Sequence, residues 1–262
     1  MITVSALTFY PLKGARGIAT PTLELDRYGP RFDRRWMAIT EAGRFLTQRE
    51  TPELCLVEAI PTAEALTLRG PGLPELVVPV RGDRPPRRVR VWGSECDAQD
   101  QGDAAARWLA ELLGRPVRLV HLPEGEARRT DPTFDPSGSP VSFADGYPIL
   151  LIGEASLTAL NGSLVEPVPM NRFRPNVVVS GTAPYEEDEW RRFTIGGLPF
   201  DGVKRCARCV VTTVDQQSAM RHDEPLRTLS KLRRGEHGAL FGMNVVHRAR
   251  GTIAAGDAVL VG

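Results

Sequence analysis

The stretch Lys204-Arg-Cys-Ala-Arg-Cys-Val-Val-Thr-Thr-Val-Asp215 places two of the chain's four cysteines, Cys206 and Cys209, three positions apart among cations. Nearby positive charge favours the ionised form of a thiol, so Cys209, flanked by Arg205 and Arg208, is expected to ionise more readily than a free cysteine. An ionised sulfur suits a soft metal ligand, a nucleophile or one half of a redox pair. Two reduced thiols beside solvated arginines satisfy the same spacing. The β-branched run Val210 to Val214 predicts a strand after Cys209, and so a rigid mount for its side chain.

Other stretches carry anion-binding residue types. Pro11-Leu-Lys-Gly-Ala-Arg-Gly17 is a loop in which backbone amides and Lys13 can approach an anion. Arg31 to Thr40 and Gly43 to Arg49 read as a hairpin with Glu41-Ala-Gly43 at its tip, displaying Arg34, Arg35 and Arg49 from its ends. Met170-Asn-Arg-Phe-Arg-Pro-Asn176 supplies Arg172, Arg174 and two asparagines, forked donors suited to a phosphate. Taken singly, each of these is equally a turn with solvated cations.

The elements that must position these residues are mostly short strands. Ile2 to Tyr10 is strand-like, as are Leu54 to Ile60, Ala65 to Arg69, Leu76 to Val80 and the alternating Arg87 to Trp92. Asp103 to Leu113 is the strong helix of the first half, with Asp103 as its cap and Ala105, Trp108, Leu109 and Leu112 on one face. The strand Val117 to His121 follows, with His121 a structural strand-end residue. From Leu122 to Pro140, prolines, glycines and charges make a long irregular segment, which separates two halves. The expected division is 1–121, a connection over 122–141, and 142–262. The second half begins with a strand Ile149 to Ile152 and a helix from Glu154 closed by Asn161-Gly162. It continues with a strand Val177 to Ser180 and a Gly-Gly hairpin over Phe193 to Phe200. A short helix Pro225 to Arg233 and strands Leu240 to Val246 and Ala258 to Val261 complete it. Both halves are therefore β-rich and barrel-like with a few helices, an α+β chain.

Composition narrows the functional classes. The 262 residues are 42% hydrophobic and 25% charged, as in ordinary globular proteins. A formal net charge of +1 implies no bulk attraction to nucleic acid or to an anionic membrane. No apolar run approaches the ~20 residues needed to cross a bilayer. Met1 to Tyr10 lacks a basic region and a cleavage site, and four cysteines make no disulfide framework, so a cytoplasmic protein is expected. One CxxC without a second pair is a poor zinc site. A β-branched run after the motif argues against a thioredoxin-like disulfide catalyst, whose motif opens a helix.

Read together and in order, the motifs resemble the MOSC domain family. The residues that carry this are Asn171-Arg-Phe-Arg-Pro-Asn176 followed by Ser180-Gly181, then Cys206 to Asp215, then Phe241-Gly242. Tyr10-Pro-Leu-Lys13 and Asp33-Arg-Arg-Trp36 are similar to the β-barrel module that precedes that domain in the amidoxime-reducing branch. The resemblance implies an N-terminal β-barrel-like module and a C-terminal MOSC barrel that bind a pterin-based molybdenum cofactor, molybdopterin carrying molybdenum. By position it implies that Cys209 is the protein's metal ligand and catalytic centre, with Cys206 a neighbour that is not a ligand. It further implies that Lys13, Arg34, Arg174 and Asn176 hold pterin or phosphate, and that Gly146, Tyr147, Ala207 and Arg208 contact the cofactor near the metal. Asn244 closes the pocket. Gly14 and Tyr147 depart from the small hydroxyl residues of relatives, so their contacts are backbone contacts or are lost.

The implied reaction is two-electron reduction of a nitrogen–oxygen bond in a small N-hydroxylated or otherwise N-oxygenated compound. A sulfur-carrying or cofactor-binding role without reduction is the alternative within the same family, and a purely structural or interaction protein is the alternative outside it. The chain has no C-x4-C-x2-C spacing, so no iron–sulfur cluster is expected in it. Electrons are expected from a separate ferredoxin-like or cytochrome b5-like protein and its reductase.

Overall fold

A computed structural model describes residues 1–80, 85–236 and 238–262. Its largest sheet runs in the order Ile18–Thr20, Thr3–Phe9, Val177–Ser180, Ile149–Gly153, Gly238–His247, Leu198–Arg208, Arg192–Ile195 and Val259–Val261. A bridge between Thr3 and Ala258 ties the last strand back to the first, so the sheet closes on itself. Closure leaves no exposed edge along that seam, which is the standard solution to unpaired strand edges. The interior is apolar: Val4, Leu7, Leu151, Val179, Phe193, Phe200, Met243 and Val245 are each at most 4% exposed. Burying side chains of this size contributes roughly 1.5–3 kcal/mol each.

The strands follow from local sequence. Gly196 and Gly197 take positive φ values of 55° and 82°, and the two-residue turn they form sets the expected hairpin of Arg192–Ile195 with Leu198–Arg208. Ile149–Gly153 and Val177–Ser180 pair in parallel, with the helix Glu154–Asn161 in their connection. That helix and Leu226–Leu232 cover the outer face of the sheet over Ile152, Phe173 and Phe241.

The first half builds a four-stranded sheet, in the order Trp36–Ile39, Arg118–His121, Ser94–Asp100 and Pro86–Val91, and a three-stranded one, Glu58–Pro61, Ala65–Gly70 and Leu73–Pro79. The helix Asp103–Leu113 packs Trp108 and Leu109 into a core with Trp36, Leu54 and Leu68. Ser94–Asp100 is an unexpected strand, polar in sequence, but Cys96 and Ala98 point inward while Glu95 and Asp97 pair with Arg90 and Arg88 across the ladder.

Several expectations are corrected. The run after Cys209 is not a strand: Val210–Thr213 is a 3-10 turn, in which Thr212 Oγ1 donates to Cys209 O and Thr213 Oγ1 to Val210 O. Hydroxyls that satisfy nearby carbonyls offset the extended preference of β-branched residues. Pro52–Leu56 is likewise a 3-10 turn rather than the start of a strand. Asp103 is the first helical residue, with Gly102 at the cap position, and its carboxylate pairs with Arg118. The irregular connection is tied at its base by pairing of Arg128 with Val141. Thr3–Phe9 also reaches across the expected division of the chain, pairing antiparallel with Val177–Ser180.

Candidate active site

The strands Thr3–Phe9, Ile149–Gly153, Val177–Ser180 and Leu198–Arg208 deliver their flanking loops to one end of the sheet, against the first half. The cleft there is lined by Lys13, Gly14, Arg34, Gly146, Tyr147, Arg174, Asn176, Ala207, Arg208, Cys209 and Asn244. These residues are scattered along most of the chain, and the fold brings all of them together.

Its floor is a stack of cations on a ring. The Arg34 and Arg174 guanidinium groups lie 4.5 and 4.3 Å from the centroid of the Tyr10 ring. Tyr10 is fixed by its hydroxyl, which donates to Pro175 O at 3.0 Å, and by its amide, which donates to Asp33 Oδ1 at 2.8 Å. Burial pushes the Tyr10 phenol up to about 12, so it stays a neutral donor. Asn176 spans the floor, donating to Thr8 O and Asp33 Oδ1 and accepting from Leu150 N and Arg34 Nη1. Arg34 and Arg174 both have left-handed backbone, φ 49° and 56°. That conformation costs a non-glycine residue roughly 1–2 kcal/mol, and such strain concentrates at functional positions.

The two arginines differ in charge compensation. Arg34 pairs with the buried Asp33 at 2.5 Å. Arg174 is 9% exposed and donates to Gln216 Oε1 at 3.2 Å, with no carboxylate ion-paired to it among the described residues. Burial pulls its pKa down to about 10, with Tyr10 opposing and the Arg34 charge adding to the fall. It is therefore still cationic at neutral pH. A buried cation without a counter-charge is the arrangement an anionic ligand completes.

The wall beside it comes from the end of Leu198–Arg208. Arg208 Nη2 donates to Phe173 O at 2.7 Å and Nη1 to Cys206 Sγ at 3.0 Å, while Nε is buried without a partner. Cys209 is the next residue, half-buried, a free thiol held by the 3-10 turn that follows it. Arg205 does not flank that thiol as expected: it points to the other side of the strand, toward Glu189 and Asp188. Within the strand Arg205 and Arg208 stand three positions apart, so alternation turns them to opposite faces. Asn244 enters opposite Lys204 and Leu150, its register set by a bulge at Phe241-Gly242. Gly242 has φ 83°, and a Cβ there would lie 2.7 Å from Ile152 Cγ1.

Lys13 closes the opposite wall. Its ammonium donates to Phe143 O at 2.8 Å and Asp145 Oδ1 at 2.5 Å. Gly14, at φ 85°, presents its carbonyl to Gln48 Nε2 at 2.6 Å, a backbone contact only. Gly146 has open space around its Cα. Tyr147 lines the cleft, yet its hydroxyl is buried without a hydrogen-bond partner, and burial raises its pKa further above the usual range.

Other sequence candidates lie elsewhere. Arg35 stacks on Tyr28 and pairs with Glu124. Arg172 clamps Thr213 O and Asp215, bracing the turn after Cys209 instead of entering the cleft. Arg49 does line it, 4.3 Å above Trp92. Asp145, Trp92 and Gln48 are cleft residues that sequence reasoning missed. Tyr10, Asp33 and Trp36 all stand in stretches already notable for their charges and rings, but nothing local marks Asp145 or Gln48. His121 packs 4.7 Å from Trp36 at a strand end, and burial pulls its pKa down to about 3, consistent with the structural role expected.

The MOSC N-terminal beta barrel domain family matches residues 1–116, and the MOSC domain family matches residues 138–260. Over 98% of its length the chain is 34% identical to a Homo sapiens protein named mitochondrial amidoxime-reducing component 1, covering 82% of that protein. It is 33% identical to the Bos taurus mitochondrial amidoxime reducing component 2, with the same two coverages, 98% and 82%. A Danio rerio protein named molybdenum cofactor sulfurase is 30% identical over 94% of this chain, which spans 32% of that longer protein. No helix among the described residues is long and apolar enough to cross a membrane.

Proposed function

The chain belongs to the MOSC family, in the form that carries an N-terminal MOSC β-barrel, and is homologous to the mitochondrial amidoxime-reducing components over nearly its whole length; from this premise we propose that it is a molybdenum-cofactor-dependent reductase of N-hydroxylated and other N-oxygenated compounds. The observation that carries the proposal is the composition of one cleft. A free thiol on a fixed backbone, Cys209, shares it with an uncompensated buried cation, Arg174, and with an open amide, Asn244. This donor set fits a phosphorylated pterin whose metal takes one thiolate from the protein. Arg34, Arg174 and Asn176 would hold the anionic and heterocyclic parts, Lys13 and Arg208 the flanks, and Cys209 the metal. When bound, the cofactor supplies the two-electron chemistry that cleaves the N–O bond. The chain's own part is to orient it from several directions and to keep the cleft floor rigid. Electrons come from a separate ferredoxin-like or cytochrome b5-like carrier and its reductase.

The test is molybdenum and pterin content of protein purified from a cofactor-competent host, with benzamidoxime reduction assayed using an artificial electron donor. Near-stoichiometric metal and turnover, both lost in Cys209→Ser, are expected. A folded protein with neither metal nor pterin sinks the proposal. The similarity to a molybdenum cofactor sulfurase favours a second reading, in which Cys209 carries sulfane sulfur. That reading predicts cyanide-releasable sulfur on Cys209 and no turnover in pterin-loaded protein.

A further inference from the structure

We propose that Asp145 selects among N-oxygenated substrates by accepting a hydrogen bond from an N–H group beside the N–O bond, with the indole of Trp92 as a flat wall next to it. The inference rests on the reductase reading and names the substrate class that the same cleft prefers. Among the described residues, Asp145 is the one carboxylate that lines the cleft. Its negative charge works against any anionic ligand there, so its presence calls for a different use.

The geometry supplies one. Asp145 Oδ1 accepts from Lys13 Nζ at 2.5 Å and from Trp92 Nε1 at 3.1 Å, whereas Oδ2 has no hydrogen-bond partner among the described residues. The buried Arg128 guanidinium holds the carbonyls of Ser142, Ala144 and Asp145 at 3.1, 2.6 and 3.2 Å, which fixes the backbone that carries the carboxylate. The cleft walls disfavour the Asp145 charge, but the Lys13 ammonium more than offsets this and holds the carboxyl well below the usual range. A charged, oriented and unshared acceptor oxygen results, and the group that satisfies it is an N–H donor.

Two sources share that chemistry. A pterin presents amino and ring N–H groups on a planar edge, and an amidoxime or an N-hydroxyguanidine presents amino N–H groups on a planar delocalised one. Depth favours the substrate. The Asp145 side chain is 69% exposed and Trp92 is 43% exposed, whereas Tyr10 and Arg174 of the floor are buried and the Arg34 side chain is 14% exposed. Trp92 is braced edge-on by Phe45 at 4.9 Å and stacked by Arg49 at 4.3 Å, a rigid flat surface at the mouth. An amidoxime offers an amino group to Oδ2 together with a planar delocalised face for the indole. A tertiary N-oxide offers no N–H.

The experiment compares the cofactor-loaded wild type with Asp145→Asn, which keeps the shape and one acceptor oxygen but removes the charge. Three readouts are taken: kcat/KM for benzamidoxime and for pyridine N-oxide, pterin content per chain, and thermal stabilisation by benzamidine. The expected result is a fall of about tenfold or more in the benzamidoxime to pyridine N-oxide ratio, expressed in KM, with benzamidine stabilisation present in the wild type and lost in the variant. Equal loss on both substrates, or benzamidine stabilisation retained by the variant, overturns the proposal. Loss of pterin with the ratio unchanged assigns the carboxylate to the cofactor and overturns it as well. A pterin-loaded wild type that reduces neither compound defeats the reductase reading, and the benzamidine arm still reports on Asp145.

Discussion

Gln48 and Gln216 stand 168 positions apart and exchange a reciprocal pair of amide hydrogen bonds, Gln48 Nε2 to Gln216 Oε1 at 3.0 Å and Gln216 Nε2 to Gln48 Oε1 at 2.9 Å. Each amide also donates to a carbonyl, Gly14 O for Gln48 and Val214 O for Gln216, which fixes both orientations. Both side chains are buried. The pair rivets the loop of Lys13 and Gly14 to the segment following Cys209. Gln48→Leu removes both bonds to Gln216, which keeps Val214 O and Arg174 as partners, and leaves Gly14 O without its donor, a loss of about 1–3 kcal/mol. Denaturant unfolding should show that loss, together with weaker pterin retention.

Arg174 yields a prediction of the opposite sign for stability. Its folded pKa, about 10, lies below the ordinary 12.5, so below pH 10 the folded state bears a buried charge that the unfolded chain does not. Arg174→Met removes that charge, and the ligand-free protein is expected to be no less stable than the wild type by thermal unfolding. Stabilisation by pyrophosphate, used as an anionic probe, should disappear. In the wild type that stabilisation should fade as pH rises through about 10.

His121 controls part of the acid limb. Its folded pKa, about 3, is below the ordinary 6.5, so between those values the unfolded state binds a proton that the folded state refuses. The stability it contributes is complete above 6.5 and is lost as pH falls toward 3. His121→Phe fills the space beside Trp36 with a ring that does not titrate. Urea unfolding at pH 7, 5 and 4 should show a shallower decline for the variant.

Gly242 has no room for a methyl group. At φ 83° an added Cβ would meet Ile152 Cγ1 at 2.7 Å and Leu151 O at 3.0 Å. Gly242→Ala is expected to cost about 2–4 kcal/mol, combining left-handed strain with a core clash. Because the bulge sets the register of Asn244, pterin content should fall even where the variant remains folded.

Much of the cleft was legible because its residues sit in motifs whose order along the chain is distinctive. What stayed hidden was direction. Arg205 and Arg208 read alike beside a cysteine, yet strand alternation sends one to Glu189 and leaves the other in the cleft. Arg172 and Arg174 share one motif and are both buried, yet Arg174, at positive φ, lines the cleft while Arg172 reaches Thr213 O and Asp215. The valine and threonine run after Cys209 misled because hydroxyl-to-carbonyl bonds, and Arg172 on Thr213 O, hold it as a turn. Asp145 and Gln48 carry no local signal, since their roles depend on partners more than thirty positions away.

The pairing of Thr3 with Ser180 sets a timetable for synthesis. These partners are 177 positions apart, so the strand Thr3–Phe9 leaves the ribosome long before the strand it must pair with exists. At ~5–20 residues per second the delay is roughly 10–35 s. Throughout that interval the apolar face of Val4 and Leu7 has no sheet to join. Over that interval the nascent chain therefore offers Val4 and Leu7 as a binding segment to chaperones, and the barrel closes only once Val259–Val261 has been made.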